Sequence, residues 1–124
     1  MIIVKRKITE KLLLWKNRPD RMPLLLNGAR QVGKTYSALT FGKEYYKNTA
    51  YFNFEDAKDV NAIFERDLDP ERIIKELAAK KGQSIIKGDT LIIFDEIQAC
   101  ERALASLKYF CEQAPGYHII AAGS

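Results

Sequence analysis

Apolar residues recur along this chain at two spacings, one of three to four residues and one of two residues or fewer. The longer spacing is typical of a helix that buries one face. Within 8–16, for example, Ile8, Leu12 and Trp15 fall on one side of a helix. Further helices are predicted at 34–46, at 57–66, from Pro70 onward with Asp69 as the N-cap and Ile73, Ile74, Leu77 and Ala78 as the buried stripe, and at 103–111.

Strand-like segments alternate with these helices. Residues 50–54 alternate aromatic and polar side chains, and 91–95 form a continuous apolar run that ends in Asp95. Apolar runs at 24–27 and 118–122 predict two more strands. Because strands and helices alternate, we predict one α/β domain with a right-handed, mostly parallel sheet.

Residues 28–35 read Gly-Ala-Arg-Gln-Val-Gly-Lys-Thr and fit the phosphate-binding pattern G-x-x-x-x-G-K-[ST]. A predicted strand precedes them and a predicted helix follows, which favours a phosphate loop over an unrelated glycine-rich turn. We expect backbone amides and Lys34 to bind phosphates, the Thr35 hydroxyl to ligate Mg²⁺ and the helix dipole to assist. The predicted nucleotide-binding residues are Gly28, Arg30, Gln31, Val32, Gly33, Lys34, Thr35 and Tyr36.

Two carboxylates follow the apolar run 91–94, at the carboxyl end of a predicted strand. Ligands of open α/β sheets bind at that edge. We therefore predict that Asp95 holds the magnesium shell with Thr35, as the Walker B acid does in P-loop enzymes. Glu96 is the candidate general base for the attacking water. A solvated strand end is the alternative for both acids.

Several phrases of the chain resemble those of prokaryotic AAA+-related ATPases that are usually described only as ATP-binding proteins. They lie at 23–35, at 52–56 (Phe-Asn-Phe-Glu-Asp), at 94–98 (Phe-Asp-Glu-Ile-Gln) and at 122–124 (Ala-Gly-Ser), with a similar lead-in at 3–6 and 11–16. The resemblance implies a three-layer P-loop fold with strand order 2-3-4-1, and ATP and Mg²⁺ as cofactors. It also implies three catalytic residues, Lys34, Glu96 and Ser124, of which Ser124 is a sensor that contacts the γ-phosphate. A disordered serine is the alternative.

Proteins of this type continue into a fifth strand and a C-terminal domain, so we expect 1–124 to be the N-terminal portion of a longer ATPase domain. Without a fifth strand, the strand at 24–27 has an unpaired edge, and a second copy could cover it. A chain that ends at Ser124 would carry a carboxylate near the γ-phosphate. We expect that form to bind nucleotide weakly and to turn it over slowly.

Composition bears on the metal chemistry and the cellular compartment of the protein. The chain has 124 residues, a net charge of +4 and two cysteines, Cys100 and Cys111, which lack metal-ligand spacing and are expected to be reduced. No apolar run is long enough to span a bilayer, and the first residues lack the pattern of a secretory signal, so we expect a cytoplasmic protein without membrane contact.

Charge leaves a second function class open. Residues 1–21 carry seven basic side chains against two acidic ones, which could attract nucleic acid or an acidic partner. A solvated amphipathic helix explains the same charges and is favoured. The leading hypothesis is therefore a Mg²⁺-dependent ATPase that drives an attached module. The alternatives are a nucleic-acid- or protein-binding module with a structural nucleotide, and a small-molecule P-loop kinase.

Overall fold

A computed structural model describes residues 2–26, 33–56 and 58–123, with the side chains of 2–6, 33 and 34 outside the description. Helices and strands alternate along the chain after the first helix. The elements are α1 (Ile2–Lys16), β1 (Leu24–Leu26), α2 (Gly33–Tyr45), β2 (Asn48–Asn53), α3 (Lys58–Ile63), α4 (Pro70–Lys81), β3 (Thr90–Asp95), a 3₁₀ turn (Ile97–Ala99), α5 (Glu101–Gln113) and β4 (His118–Ala122).

The four described strands form one sheet in the order β1-β4-β3-β2, and every pair is parallel. This order is the predicted 2-3-4-1 read from the other side. β4 pairs with β1 through Leu25↔Ala121 and with β3 through Ile93↔Ile120. The strand that leads toward residues 28–35 is therefore separated from the acid-bearing β3 by one intervening strand, as the resemblance implies.

Alternating side chains of β3 divide the interior into two cores. Leu91 and Ile93 point toward α1 and α2, whereas Ile92 and Phe94 point toward α3, α4 and α5. All of β3 and β4 is buried, so helices cover both faces, as expected for a parallel sheet. The fold is a three-layer α/β domain of the P-loop type.

The predicted elements all occur, and their ends differ by a few residues. α1 begins at Ile2 rather than Ile8, six residues earlier than its apolar stripe indicated. α2 ends at Tyr45, just before Lys47 and Asn48, which were predicted to break the helix, and Asn48 also begins β2. The Asn48 side chain donates to the Ser84 carbonyl and accepts from the Thr90 hydroxyl. Asp69 occupies the N-cap position of α4, but its side chain makes no capping hydrogen bond.

One close approach fixes how α2 lies on the sheet. A Cβ added to Gly42 would come within 2.3 Å of Thr49 Oγ1 and 3.1 Å of Leu91 Cδ2. Only glycine lets the helix backbone sit this near β2 and β3. The contact holds α2, and with it Thr35 in its first turn, at a defined height above the sheet.

The basic N-terminal segment is partly built into the structure. Arg21 donates to the carbonyl oxygens of Lys16 at 3.3 Å and Pro115 at 2.7 Å. The ammonium group of Lys16 lies 4.9 Å from the centre of the Tyr46 ring. Trp15 is buried and donates its indole N–H to the carbonyl of Met22 at 2.6 Å. These contacts agree with the interpretation of this segment as an amphipathic helix.

Candidate nucleotide-binding site

Thr35 and Asp95 meet at the carboxyl edge of the sheet. Thr35 lies in the first turn of α2, and Asp95 is the last residue of β3. The Thr35 hydroxyl donates to Asp95 Oδ2 at 3.1 Å. Period-two alternation explains the encounter, because Asp95 follows Leu91 and Ile93 on the face that α2 covers. The predicted pair of magnesium ligands is thus brought together across 60 positions of sequence.

Asp95 is held by donors on both carboxylate oxygens. Besides Thr35, the Tyr51 hydroxyl donates to Oδ2 at 2.5 Å, and the backbone N–H of Glu96 donates to Oδ1 at 3.0 Å. Only 7% of Asp95 is exposed. Hydrogen bonds of this kind restrict the rotation of the carboxylate.

The contact with Asp95 also affects the pKa of Tyr51. Its hydroxyl is partly withdrawn from water and faces the carboxylate, so its pKa is raised to about 12, first by desolvation and then by Asp95. At neutral pH the phenol is therefore protonated and acts as a donor. The hydrogen bond to Asp95 is available throughout the physiological pH range.

Glu96 leaves the strand in a left-handed conformation, with φ of 51°. Few residues other than glycine adopt this conformation, and it is often found at functional sites. The turn carries Glu96 out of the β3 alternation and leaves it partly exposed. Gln98, in the 3₁₀ turn, donates from Nε2 to Glu96 Oε1 at 2.7 Å. The predicted general base therefore follows the buried Asp95 directly in the chain but lies in a partly exposed turn.

Gln98 also reaches the end of β4. A Cβ added to Gly123 would lie 2.5 Å from Gln98 Oε1, so a larger residue there would displace the amide. Gly123 itself donates its backbone N–H to the carbonyl of Leu26 at 3.2 Å. β4 therefore ends between the acid-bearing turn and the strand that leads toward residues 28–35.

Part of the predicted site lies outside the described residues. This applies to Gly28, Arg30, Gln31, Val32 and Ser124, and to the side chain of Lys34. Their assigned roles remain predictions. The backbone of Gly33 and Lys34 forms the start of α2, immediately before Thr35. β1 ends at Leu26 and α2 begins at Gly33, so the predicted residues 28–32 fall between these two elements in sequence.

A cleft of about 490 Å³ opens between α1 and α2 next to this edge. It begins at Tyr36, one residue beyond Thr35, and continues along α2. Its walls combine apolar side chains with five hydroxyl groups and two carboxylates, and small-molecule sites likewise combine apolar walls with a few polar groups. The lining residues are Ile8, Thr9, Glu10, Leu13, Tyr36, Ser37, Thr40, Phe41, Glu44 and Tyr45.

The donor set fits Mg²⁺ bound together with a nucleotide. Hydroxyl and carboxylate oxygens are ligands that Mg²⁺ prefers, and the ion usually takes one or two protein oxygens with phosphates and waters. Among the described residues, no group of three or more His, Cys, Asp or Glu side chains could hold a metal by itself. An ion at Thr35 and Asp95 would therefore depend on phosphate oxygens for the rest of its shell.

Several other polar residues of the chain occupy surface or structural positions. Glu55 and Asp56 are exposed in the turn after β2. Arg102 donates to the carbonyls of Phe64 and Glu65 on the α3 side, which explains it structurally. His118 is buried, and its Nδ1 shares a hydrogen bond with the Tyr46 hydroxyl.

Two residues near the acids were given no firm role in the sequence analysis. Tyr51 belongs to β2, and its position beside Asp95 depends on the pairing Tyr51↔Ile93 between β2 and β3. Once that pairing is known, the alternation of side chains along β2 places Tyr51 on the same face of the sheet as Asp95. Gln98 is two residues beyond Glu96, and only the left-handed turn brings the two side chains together.

Comparison with known families agrees with this geometry. The model of the AAA domain family matches residues 20–124. The chain belongs to the AAA domain family. It is accordingly a nucleotide-binding core of the AAA ATPase type, with the P-loop fold that the strand order indicated. No individual curated protein matches the chain. Within the part that the structure describes, no helix combines the length and apolar character needed to cross a membrane.

Proposed function

We propose that this AAA domain binds ATP with Mg²⁺, hydrolyses it and uses nucleotide state to drive or switch an attached module. The observation that carries the proposal is the hydrogen bond between Thr35 and Asp95. It joins the first turn after a phosphate-loop sequence to the acid at the end of β3. Glu96 follows Asp95 directly, which supports assigning the general base to the same edge of the sheet as the proposed magnesium ligands.

Each residue has a distinct part in the proposed reaction. Lys34 and the loop amides would bind the β- and γ-phosphates, and Thr35 and Asp95 would hold Mg²⁺. The ion, when bound, supplies charge neutralisation at the phosphate oxygens. Glu96 would accept a proton from the attacking water while Gln98 orients its carboxylate. Ser124 is assigned to the γ-phosphate as a sensor.

The nucleoside end is proposed to occupy the cleft between α1 and α2. The cleft begins at Tyr36, the residue after Thr35, so a nucleotide with its phosphates at the start of α2 would extend into it. Its volume lies within the usual range for small-molecule sites, and its apolar walls suit a base. This position explains why α1 belongs to the functional unit although it precedes the phosphate-loop sequence.

Two substitutions test the assignment. Lys34→Ala should weaken ATP binding by more than about 1.4 kcal/mol, a factor of ten, because it removes the charge that faces the phosphates. Glu96→Gln should retain ATP binding and lose turnover, since a neutral amide cannot accept the proton. Binding is measured by calorimetry and turnover by phosphate release. Unchanged ATP affinity in Lys34→Ala would refute the proposed function.

A further inference from the structure

We propose that Tyr51 is a positioning residue for the magnesium site, and that its hydroxyl keeps the Asp95 carboxylate oriented toward Thr35. The inference rests on the proposed function, because it assumes that Asp95 serves the metal. It adds a residue from β2, a strand to which neither the phosphate-loop pattern nor the acid pair assigns a role in the site.

Strand pairing brings the Tyr51 hydroxyl to Asp95. β2 and β3 pair in register through Tyr51↔Ile93 and Asn53↔Asp95, so the Tyr51 ring starts two residues back from the acid on the neighbouring strand. The ring packs on the α1 and α2 face beside the cluster that contains Ile93. Its hydroxyl extends along the sheet to Oδ2, where the donor–acceptor distance is 2.5 Å.

The hydrogen bonds around Asp95 have different sources. The Glu96 N–H holds Oδ1 from the backbone, and Thr35 and Tyr51 both donate to Oδ2. Thr35 is also a proposed metal ligand, so its hydroxyl must serve both the ion and the carboxylate. Tyr51 also interacts with the Asn53 side chain, but it is not a proposed metal ligand. Its donation can fix Oδ2 both before and after the ion binds.

Such support should affect metal affinity more than folding. Partners that orient a ligating or ion-facing group typically contribute tenfold or more to metal affinity. A phenylalanine at position 51 keeps the ring contacts and removes the donor alone. Asp95 would then retain the Glu96 and Thr35 contacts, and its Oδ2 would lose one of two constraints.

The chain offers a matched control in Tyr46. It is also a tyrosine of the α1 and α2 face, and its hydroxyl also makes a short hydrogen bond, 2.6 Å to His118 Nδ1. Its partner is not part of the proposed metal site. Tyr46→Phe therefore removes the same atom from the same core without touching Asp95.

The test is a Mg²⁺ titration of nucleotide binding, followed with ATP that carries a methylanthraniloyl fluorophore, in the wild type, Tyr51→Phe, Tyr46→Phe and Asp95→Asn. Tyr51→Phe should raise the half-saturating Mg²⁺ concentration about tenfold. In EDTA, the affinity of Tyr51→Phe for the labelled ATP should stay within about twofold of wild type. Tyr46→Phe should change neither the half-saturating Mg²⁺ concentration nor this affinity by more than about twofold, well under a tenfold change, which corresponds to about 1.4 kcal/mol. Thermal unfolding without metal confirms that each variant folds, and Tyr51→Leu replaces the phenylalanine variant if that one does not.

The outcomes separate this inference from the proposed function. If Asp95→Asn raises the Mg²⁺ requirement and Tyr51→Phe leaves it at the wild-type value, Tyr51 has no positioning role and the proposed function stands. If Asp95→Asn also leaves the Mg²⁺ requirement unchanged, the metal assignment itself fails, and the inference with it. An equal rise in Tyr46→Phe and Tyr51→Phe would likewise overturn the inference, because it would indicate a general effect of the core.

Discussion

The two faces of the sheet are built from different kinds of side chains. Toward α3, α4 and α5 the core is apolar, and Phe94 lies with its ring centre 5.3 to 6.2 Å from those of Phe52, Phe54 and Phe64. Toward α1 and α2 the core includes hydrogen-bonded Trp15, Tyr46 and His118 and adjoins Asp95. One face thus stabilises the sheet, and the other combines stabilisation with the groups proposed for chemistry.

The difference follows from the alternation of β3. Each step along the strand sends one side chain to the apolar face and the next to the α2 face, so Phe94 and Asp95 are neighbours in sequence and point into different environments. A substitution at one position should therefore affect mainly stability and a substitution at the next mainly the site. Three predictions test this separation, from the largest effect on stability to the smallest.

The largest effect is expected for Phe94→Ala. The side chain is fully buried among three aromatic rings, and its removal leaves a cavity between β3 and α3. We expect the free energy of unfolding to fall by about 3–5 kcal/mol, measured by chemical denaturation. At a temperature where the variant is folded, its Mg²⁺ requirement should match that of wild type. A loss below about 1 kcal/mol would contradict the proposed role of this face.

An intermediate, pH-dependent effect is expected from His118 on the other face. Burial, with smaller contributions from Arg21 and Lys16, lowers the pKa of His118 to about 4, whereas an unfolded histidine titrates near 6.5. Between these values the unfolded chain binds more protons than the folded one, so stability falls as the pH falls from about 6.5 to about 4.

The His118 contribution is isolated by comparison with His118→Gln. Subtracting the two stability curves, measured by denaturation at each pH, removes the titration of the carboxylates that both proteins share. We expect the difference to change by about 1–3 kcal/mol across this window and to be flat above pH 7. A difference that is constant from pH 4 to 8 would show that the folded imidazole titrates normally.

The smallest effect on stability is expected for Gln98→Ala. The side chain is exposed, and its hydrogen bond to Glu96 lies at the surface, so the free energy of unfolding should change by less than about 0.5 kcal/mol. Turnover should fall while ATP affinity is retained, because the Glu96 carboxylate loses its orienting donor. Wild-type turnover in this variant would show that Gln98 does not serve the base.

Much of the fold could be predicted from patterns of local sequence. The continuous apolar run of β3 and the His118–Ala122 strand were placed correctly because both are buried on both faces, which leaves little ambiguity in such runs. The start of α1 was wrong although Val4, four residues before Ile8, continues the spacing of Ile8 and Leu12, because the basic run 5–7 interrupts the apolar pattern. Helix ends depend on contacts and capping that a periodic pattern does not contain.

Some features of the candidate site and its surroundings were predicted from the sequence, and others were not. The proximity of Thr35 and Asp95 was predicted because the phosphate-loop pattern and a strand-end acid together imply a shared sheet edge. The burial of His118 was not predicted, since its position at the start of β4 is compatible with either environment. Its contact with Tyr46 spans 72 positions of sequence and exists only in the folded chain.

Local sequence was sufficient to specify that Leu91, Ile93 and Asp95 share one face of β3, because the period of a strand is set by covalent geometry and needs no partner. It was also sufficient to put a lysine and a threonine at the start of α2. The partners of the acids were decided by tertiary structure alone. Tyr51 reaches Asp95 because β2 pairs with β3 in one register, and register is selected by the packing of whole faces rather than by any residue on its own.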